Sequence, residues 1–413
     1  MAEKNISTEL KDFEIEFFGE YIIDTRRAFK SDNDIMVYLG RKKDTKENVV
    51  FKLKYTSSQD SFYILKESKK YEKLEGIKRI PKFYKSGSQG NFRMLIIELL
   101  GPSLKRLLEY VGGKFSLATT LKISIQLLDI IKEIHNKGVV LRYLKPGNMV
   151  IGRGENRDYI YLIDFELAKN YIKNGEHIPY KGDKKVKGNR AYISINVHLG
   201  NEVSRRDDIE SLGYNIIYFM KGKLPWSHIG DNHYIRQKKI DISMDELCEG
   251  LPEEFKKYIE YSRKLKFEQE PDYTYLSELL KKVAEKNGID IDKAKYDWVI
   301  KKEEELKKKE GKENDKDKVD KKEEENKEKK EEGEMEKKKE NEQKQNNGEK
   351  EEEGKEKENE ETIEENEEKV KRKEKELEKN GEENYKDTEK IKEKEERELE
   401  NQIREEQKEE NLK

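Results

Sequence analysis

The sequence predicts an α+β protein with a small β-rich lobe, a larger helical lobe and a charged C-terminal tail. Three observations support this class. The first 300 residues carry a net charge of +9 and an apolar share near that of globular domains, whereas residues 301–413 carry −12. Strand-like runs of β-branched and aromatic residues fill the beginning of the chain. After about residue 100, the apolar residues recur with the period of a helix.

The small lobe is predicted over residues 21–100, after an N-terminal extension of residues 1–20. Apolar runs separated by polar turns indicate strands at 17–23, 35–40, 49–53 and 94–100. One helix is expected at about 62–74. This lobe is therefore mostly a sheet that carries a single helix.

The larger lobe is predicted over residues 101–300. Leu104, Leu107 and Leu108 share one helical face, and 117–135 is a long amphipathic stretch. Two short strand-like segments follow, and the remainder to about Trp298 is expected to be mainly helical. Because polar residues gather near the junction of the lobes, we expect a site in the cleft between them.

The tail, residues 301–413, is a Lys/Glu low-complexity segment in which 80 of 113 residues are charged. Such a composition cannot bury a core. Glu and Lys four residues apart favour partial helix formation. Four apolar residues fall on one position of a heptad repeat: Ile363, Val370, Leu377 and Ile391. A coiled coil needs a second apolar position in each heptad, which is missing, so the coiled-coil signal is weak. We expect a tail that is disordered or partly helical.

Several classes of protein are disfavoured by composition. A single cysteine, Cys248, excludes an internal disulfide framework, and five histidines with one cysteine argue against a structural zinc site. The N-terminus lacks the apolar segment of a secretion signal, and no apolar run approaches the length of a membrane span. A net charge of +9 spread over 300 residues without interleaved aromatics does not indicate a nucleic-acid partner. The sequence therefore predicts an intracellular, non-secreted protein.

The polar residues at the junction follow one another in an informative order. From strand to helix to loop they are Lys52, Glu67, Glu98-Leu99-Leu100, Arg142, Lys145, Asn148 and Asp164-Phe165. This order resembles the signature set of protein kinases. Further words make it similar to the casein kinase I family: Glu98-Leu99-Leu100-Gly101-Pro102-Ser103-Leu104, His177-Ile178-Pro179-Tyr180, Ser194-Ile195-Asn196 in place of Ala-Pro-Glu, and Ser204-Arg205-Arg206-Asp207-Asp208. The resemblance runs from about Tyr21 to Trp298.

The resemblance implies a bilobal kinase fold with ATP and magnesium as cofactors. Lys52 would contact the nucleotide phosphates, with Glu67 as its ion-pair partner. Leu99 and Leu100 would offer backbone groups to adenine, and Ile97 would be the gatekeeper.

The remaining implied roles concern magnesium and the catalytic loop. Asn148 and Asp164 would be the magnesium ligands, because that ion prefers oxygen donors. Arg142 and Lys145 would flank the catalytic residue, and Asp208 would hold the backbone of the catalytic loop.

The catalytic triplet is the first departure from the family pattern. Where kinases carry His-Arg-Asp, this sequence reads Leu141-Arg142-Tyr143. The Asp accepts and orients the substrate hydroxyl. A tyrosine, whose ordinary pKa is about 10, is protonated at neutral pH and longer by a whole ring. Losing a positioned general base typically costs a factor of about 10² to 10⁴ in rate.

The glycine-rich loop is the second departure. Aligning residues 38–40 with the second strand of the family places the three loop glycines at Lys30, Asp32 and Ile35. Glycines in this loop let the backbone approach phosphates closely. We therefore expect the usual grip on phosphates to be lost.

The third departure is Glu166, which replaces the glycine of Asp-Phe-Gly in Asp164-Phe165-Glu166. It adds a negative charge beside the implied magnesium site. Glu166 is expected either to be an extra metal ligand or, preferably, to pair with Lys145 or Lys52 and close the site.

Together the departures favour a catalytically impaired kinase, a pseudokinase that binds protein partners as a scaffold, with ATP and magnesium bound weakly or not at all. One alternative is an active serine/threonine kinase that phosphorylates acidic or primed substrates with an unusual base such as Glu166. Another is a structural component of a larger assembly, with the tail as a spacer.

The expected partners are acidic or phosphorylated proteins. A basic patch in and beyond the activation segment would bind them: Lys185, Lys187, Arg190 and Arg205. The family's Gly-Thr-Ala-Arg-Tyr reads Gly188-Asn189-Arg190-Ala191-Tyr192, which moves the Arg by one position. The alternative to a binding patch is a solvated loop without a partner. A further hypothesis is that the acidic tail folds back and covers this patch.

Overall fold

The computed structural model describes residues 14–31, 35–58 and 61–309, with only the backbone given for residues 30 and 31. These residues belong to the first of two compact units, which ends at Lys312. The predictions for the tail beyond residue 309, including its coiled coil, its disorder and its masking of the basic patch, lie outside the described residues. The same holds for the loop position Asp32.

A curled antiparallel sheet forms the small lobe. Among the described residues its strands are β1 Glu14–Phe17, β2 Tyr21–Ser31, β3 Met36–Lys42, β4 Asn48–Tyr55, β5 Phe83–Gln89 and β6 Phe92–Glu98. Their order is β1-β2-β3-β4-β6-β5. In the central strand β4, Lys52 lies opposite Val37 of β3 and Leu95 of β6. The register of three paired strands therefore fixes the position of Lys52.

Three features of this sheet differ from the sequence prediction. The run 17–23 is interrupted, because Phe18 and Gly19 adopt φ angles of 54° and 71° in a turn between β1 and β2. Strand β1 lies within the segment assigned as an N-terminal extension and pairs with β2. Strand β5 was not predicted; it is an edge strand with the sequence FYKSGSQ and lacks an alternating apolar pattern.

Helix α1, Phe62–Lys73, packs beside the sheet. Its buried residues, Ile64, Glu67, Ser68 and Tyr71, recur at the spacing of one helical face. Glu67 is therefore turned inward by the same periodicity that buries its apolar neighbours.

Helices dominate the larger lobe. They are α2 Leu104–Val111, α3 Leu117–Asn136, α4 Ile195–His198, α5 Arg205–Lys221, α6 Asn232–Asp241, α7 Met244–Leu247, α8 Glu253–Lys264 and α9 Tyr273–Lys286, followed by helical residues 297–309. Helices α3 and α5 pack together in the core, and at the start of α5 the Ser204 N–H donates to Asp207 Oδ2 at 2.8 Å. No helix in the described ranges is long and apolar enough to cross a membrane.

Short strands and turns lie on the cleft side of this lobe. The strands are β7 Val139–Val140, β8 Met149–Ile151, β9 Ile160–Leu162, β10 Lys169–Asn170, β11 Ile172–Lys173 and β12 Glu176–His177, with 3₁₀ turns at Pro146–Asn148 and Gly154–Asn156. The antiparallel pairs β7–β10 and β8–β9 frame two polar loops. Residues 141–148 and 163–168 are thereby brought to the lobe junction.

Candidate functional site at the lobe junction

Lys52 lies at the centre of an ion cluster between the lobes. Alternate residues of β4 pack into the sheet core, so Lys52 and Lys54 face the other side. The Lys52 ammonium lies 2.7 Å from Glu67 Oε2 and 3.0 Å from Asp164 Oδ1. Glu166 Oε2 is a third carboxylate oxygen, at 3.5 Å from the same nitrogen. Of the two pairings predicted for Glu166, the structure shows the one with Lys52.

The charges in this cluster shift one another's protonation. Burial disfavours the charge on Lys52, but the Glu67 and Asp164 carboxylates outweigh it and raise the pKa of Lys52 well above its usual range. Burial raises the pKa of Glu67 to about 7 against the opposing effect of Lys52. Burial also opposes the charge of Asp164, yet Lys52 lowers the pKa of that carboxyl. Asp164 is therefore ionised at neutral pH, and Glu67 is the carboxylate that most readily takes up a proton.

Glu67 also holds the segment that carries Asp164. The Phe165 N–H donates to Glu67 Oε1 at 3.2 Å, and the buried Phe165 ring meets Tyr71 edge-on at 4.9 Å. Asp164 adopts a φ of 69°, in the left-handed region that non-glycine residues rarely occupy. Strained residues of this kind concentrate at functional sites.

The backbone of the catalytic loop is anchored by Asp208 of α5. Its fully buried carboxylate accepts the N–H groups of Leu141 at 2.7 Å and Arg142 at 2.9 Å. The same carboxylate lies 2.9 Å from His135 Nε2. Arg142 has a φ of 65°, a second strained residue at the site. The contact implied by the resemblance for Asp208 is thus present.

Tyr143, which is predicted to stand at the position of the catalytic carboxylate, is covered by a lysine. The Tyr143 hydroxyl accepts a hydrogen bond from Lys145 Nζ at 2.8 Å, and that nitrogen lies 4.1 Å from the centroid of the ring. Asn148 Nδ2 donates to the Tyr143 carbonyl at 3.1 Å, which orients the amide. The predicted pairing of Lys145 with Glu166 is not found among the described contacts, because Lys145 contacts the phenol instead.

The oxygen donors at the junction fit a hard divalent cation. Glu67, Asp164 and Glu166 can place one ligand oxygen each within 4.8 Å of the others. Carboxylate and amide oxygens are what magnesium prefers, and Asn148 retains its amide oxygen as an acceptor. The residues that would hold such an ion are therefore present, although two lysines share the same carboxylates.

Comparison with known proteins decides the family. The family model of the protein kinase domain matches residues 35–287. The chain belongs to the protein kinase family. It is similar to casein kinase I homolog 2 of Schizosaccharomyces pombe (strain 972 / ATCC 24843), with 43% identity over 244 residues, which are 57% of this chain and 56% of that protein. The chain thus matches about half the length of this relative, and its kinase domain is casein-kinase-I-like. The predicted bilobal α+β fold is confirmed.

The predicted adenine-side residues of the kinase domain lie where β6 leaves the sheet. Ile97 is buried in the larger core, whereas Leu99 and Leu100 are half-buried in the segment that joins the lobes. The Gly101 N–H donates to Ile151 O at 2.8 Å, and a Cβ on Gly101 would lie 2.7 Å from the Ile151 side chain. The joining segment therefore runs close against β8.

The predicted anion patch is spread over different surroundings. Lys185 is exposed, whereas Lys187 is half-buried and donates to the Tyr63 hydroxyl at 3.4 Å. The Arg205 guanidinium donates to Glu268 O at 2.7 Å. Lys185 is therefore the most accessible of these three cations, and Arg205 is held by Glu268, which follows α8.

Arg190 is exposed, but its backbone is held by a buried lysine that sequence reasoning missed. Lys239 of α6 is fully buried and donates to Arg190 O at 2.9 Å and Ile193 O at 2.7 Å. Its third neighbour is His198 Nε2 at 3.2 Å, and burial lowers the pKa of both Lys239 and His198. A lysine on a polar helix looks like a surface residue, so no sequence signal indicated this contact.

Lys54 is the second residue that was missed, and a signal for it existed. Residues two apart on a strand share a face, so Lys54 follows from the assignment of Lys52 to β4. Its Nζ lies 3.6 Å from Glu166 Oε1, and its side chain is only 3% exposed.

Proposed function

We propose that this protein is a casein-kinase-I-like pseudokinase that retains a nucleotide site and binds protein partners without transferring phosphate. The observation that carries the proposal is the position of Tyr143. Its phenol stands where kinases place the catalytic carboxylate, and the hydroxyl is occupied by Lys145 at 2.8 Å.

The absence of an available carboxylate supports the loss of transfer. In kinases a carboxylate accepts the proton of the substrate hydroxyl. Within the described part of the site, Glu67, Asp164 and Glu166 are all paired with lysines. Glu166 is the candidate for an alternative catalytic base. Lys52 and Lys54 both lie within 4.0 Å of its carboxylate. Lys52 lowers the pKa of Asp164, which makes that carboxylate a weaker proton acceptor. Glu67 is buried, and its two oxygens accept hydrogen bonds from Lys52 and from the Phe165 N–H.

The retained ion pairs support nucleotide binding. Lys52 is held by Glu67 on one side and by Asp164 on the other, the arrangement that positions phosphates and magnesium in active kinases. Bound Mg-ATP would supply a transferable phosphoryl group. In this protein Lys52, Asn148 and Asp164 would hold the nucleotide and its metal, with Leu99 and Leu100 beside the base.

The basic loop supports an acidic or phosphorylated protein as the partner. Residues 181–186 are exposed and include Lys181, Lys184 and Lys185. Lys184 lies 3.9 Å from Glu202, whereas no ion pair of Lys185 occurs within the described residues. We expect Lys185→Gln to weaken binding of a phosphorylated peptide several-fold at low salt and less at high salt, because exposed charges are screened.

Transfer of radiolabelled phosphate from ATP tests the proposal. The full chain is incubated with Mg-ATP and an acidic peptide, with Asp164→Ala as the matched control, while a thermal shift with Mg-ATP reports binding. We expect a shift in the wild type and no label above the control, either in the peptide or in the protein itself. ATP-dependent labelling that Asp164→Ala abolishes would overturn the proposal.

An active serine/threonine kinase is the second candidate, and one observation favours it. The Lys52–Glu67 pair at 2.7 Å is arranged as phosphoryl transfer requires. In that case Glu166 would be the base. Glu166→Gln would then abolish labelling, whereas the pseudokinase has no labelling to lose.

A further inference from the structure

Lys54 and Glu166 form an ion pair beside the Lys52 cluster between the lobes. The Lys54 ammonium lies 3.6 Å from Glu166 Oε1, with the side chain 3% exposed. It also lies 5.9 Å from the centroid of the Tyr63 ring. Across the described ranges, Glu166 is the one carboxylate that pairs with Lys54. A buried ammonium needs an anionic partner, so Glu166 stabilises Lys54 in this position.

Glu166 also forms an ion pair with Lys52. A lysine ammonium has three N–H donors. Glu67 and Asp164 accept two of them at 2.7 and 3.0 Å, and Glu166 Oε2 lies 3.5 Å away. The carboxylate of Glu166 therefore bridges two lysines, with one oxygen toward Lys52 and the other toward Lys54.

We propose that Glu166 is an internal anion which occupies the phosphate-binding lysines, and that Lys54 is a second phosphate-binding lysine. Nucleotide phosphates bind by displacing the Glu166 carboxylate from both ammonium groups. This inference rests on the proposed function, because it assumes that the nucleotide site is retained. It assigns a role to Lys54 and a regulatory role to Glu166, a competitor built into the same site.

Charge balance in the cleft supports an exchange of anions. Glu166 pairs with both Lys52 and Lys54. A phosphate added without moving Glu166 would meet two ammonium groups that are already paired with a carboxylate. A phosphate that replaced Glu166 would meet two desolvated ammonium groups, which interact more strongly than exposed ones. Such a pair would supply charge where the sequence lacks the phosphate-binding glycines.

The experiment compares ATP with adenosine as probes of the full chain. Both contain the base and sugar, but only ATP carries phosphates, so the difference in their affinities isolates the phosphate contacts. Dissociation constants are measured by calorimetry with and without magnesium. We expect Glu166→Gln to tighten ATP binding about tenfold, within the usual range of couplings between competing ligands, and to leave adenosine binding unchanged.

Lys54→Met tests the second half of the proposal. We expect weaker ATP binding by about tenfold, unchanged adenosine binding, and a smaller gain from Glu166→Gln in the double variant, since the two residues then no longer couple. The matched controls are Glu176→Gln and Lys69→Met, which change exposed residues away from the cleft. Neither control should alter the affinity for either probe. Urea unfolding of each variant verifies that it is folded.

Four outcomes would overturn the proposal. If Glu166→Gln weakened ATP binding only when magnesium is present, Glu166 would be a metal ligand. Equal changes for ATP and adenosine would indicate a change of shape rather than of charge. If the wild type binds ATP and neither variant changes the affinity, phosphate does not displace Glu166, while the proposed function still stands. No ATP binding by either the wild type or Glu166→Gln would contradict both proposals.

Discussion

The two sides of the cleft differ in which part of the kinase arrangement they change. On the nucleotide side, Lys52, Glu67 and Asp164 are paired at 2.7 and 3.0 Å, and new charges have been added around them. On the catalytic side, Asp208 still holds the loop backbone at 2.7 and 2.9 Å, but the reactive position carries Tyr143. In the proposed pseudokinase, one side gains charged groups, whereas the other lacks the carboxylate that would do the chemistry.

This difference separates the requirements of the fold from those of catalysis. The contacts of Asp208 and Glu67 are buried and hold backbone groups of neighbouring loops, so removing either would leave buried polar groups unpaired. The side chain of Tyr143 is half-buried, and Lys145 is the hydrogen-bond partner of its hydroxyl among the described residues. A residue of that kind can change without loss of the fold. The predictions below therefore compare anchoring residues with the reactive position.

Asp208→Ala should produce the largest effect on stability. It removes the acceptor of two backbone N–H groups and the partner of His135 in a fully buried site. Breaking a buried hydrogen-bonded charge typically costs about 3 to 5 kcal/mol of unfolding free energy. Urea unfolding measures this loss. Asp129→Ala, an exposed position on α3, is the control and should change stability by less than about 0.5 kcal/mol.

Glu67 should make stability depend on pH near neutrality. Burial raises its pKa in the folded protein to about 7, above the ordinary 4.5, so the folded state binds this proton more tightly. The resulting stability is complete below pH 4.5 and is lost as the pH rises through 7. Between pH 4.5 and pH 7, the free energy of unfolding of the wild type should fall by about 3 kcal/mol more than that of Glu67→Gln. Urea unfolding at several pH values measures this difference. The same pH dependence of the free energy of unfolding in both proteins would contradict the prediction. Glu72→Gln, exposed on the same helix, should behave as the wild type.

Tyr143→Phe should produce the smallest effect. It removes one hydrogen bond, from Lys145, at a half-buried position, which is worth about 1 kcal/mol or less. We expect unchanged ATP affinity and a small loss in urea unfolding. The exposed Tyr159→Phe provides the baseline. A loss above about 2 kcal/mol would show that the phenol anchors the loop after all.

Much of the fold and of the site follows from sequence, because both depend on local periodicity and on residue order. The spacing of Ile64, Glu67 and Tyr71 predicts that Glu67 shares the buried face of α1, and the structure places it there. The resemblance implied that Lys52 would pair with Glu67, and the 2.7 Å distance shows this pair, whereas the contact of Lys52 with Asp164 at 3.0 Å was not predicted. Edge strand β5 escaped prediction, since sheet pairing rather than its own pattern defines it.

The partners of long charged side chains could not be predicted. Glu166 had several lysines within reach in principle, and only the packing of β4 against the Asp164 segment selects Lys52 and Lys54. Lys239 is a similar case, because its burial depends on the loop that carries Arg190 and Ile193. Such contacts are set by tertiary packing, which no periodicity within one element encodes.

The central claim is that nucleotide binding persists while phosphoryl transfer is lost at position 143. Single-turnover transfer from ATP to an acidic peptide, measured at equal nucleotide occupancy in the wild type, Asp164→Ala and Tyr143→Asp, tests it most directly. We predict that the wild type is occupied by nucleotide yet transfers no more than Asp164→Ala, and that Tyr143→Asp is at least about 10²-fold faster. Wild-type transfer that Asp164→Ala abolishes and Tyr143→Asp does not increase would contradict the claim.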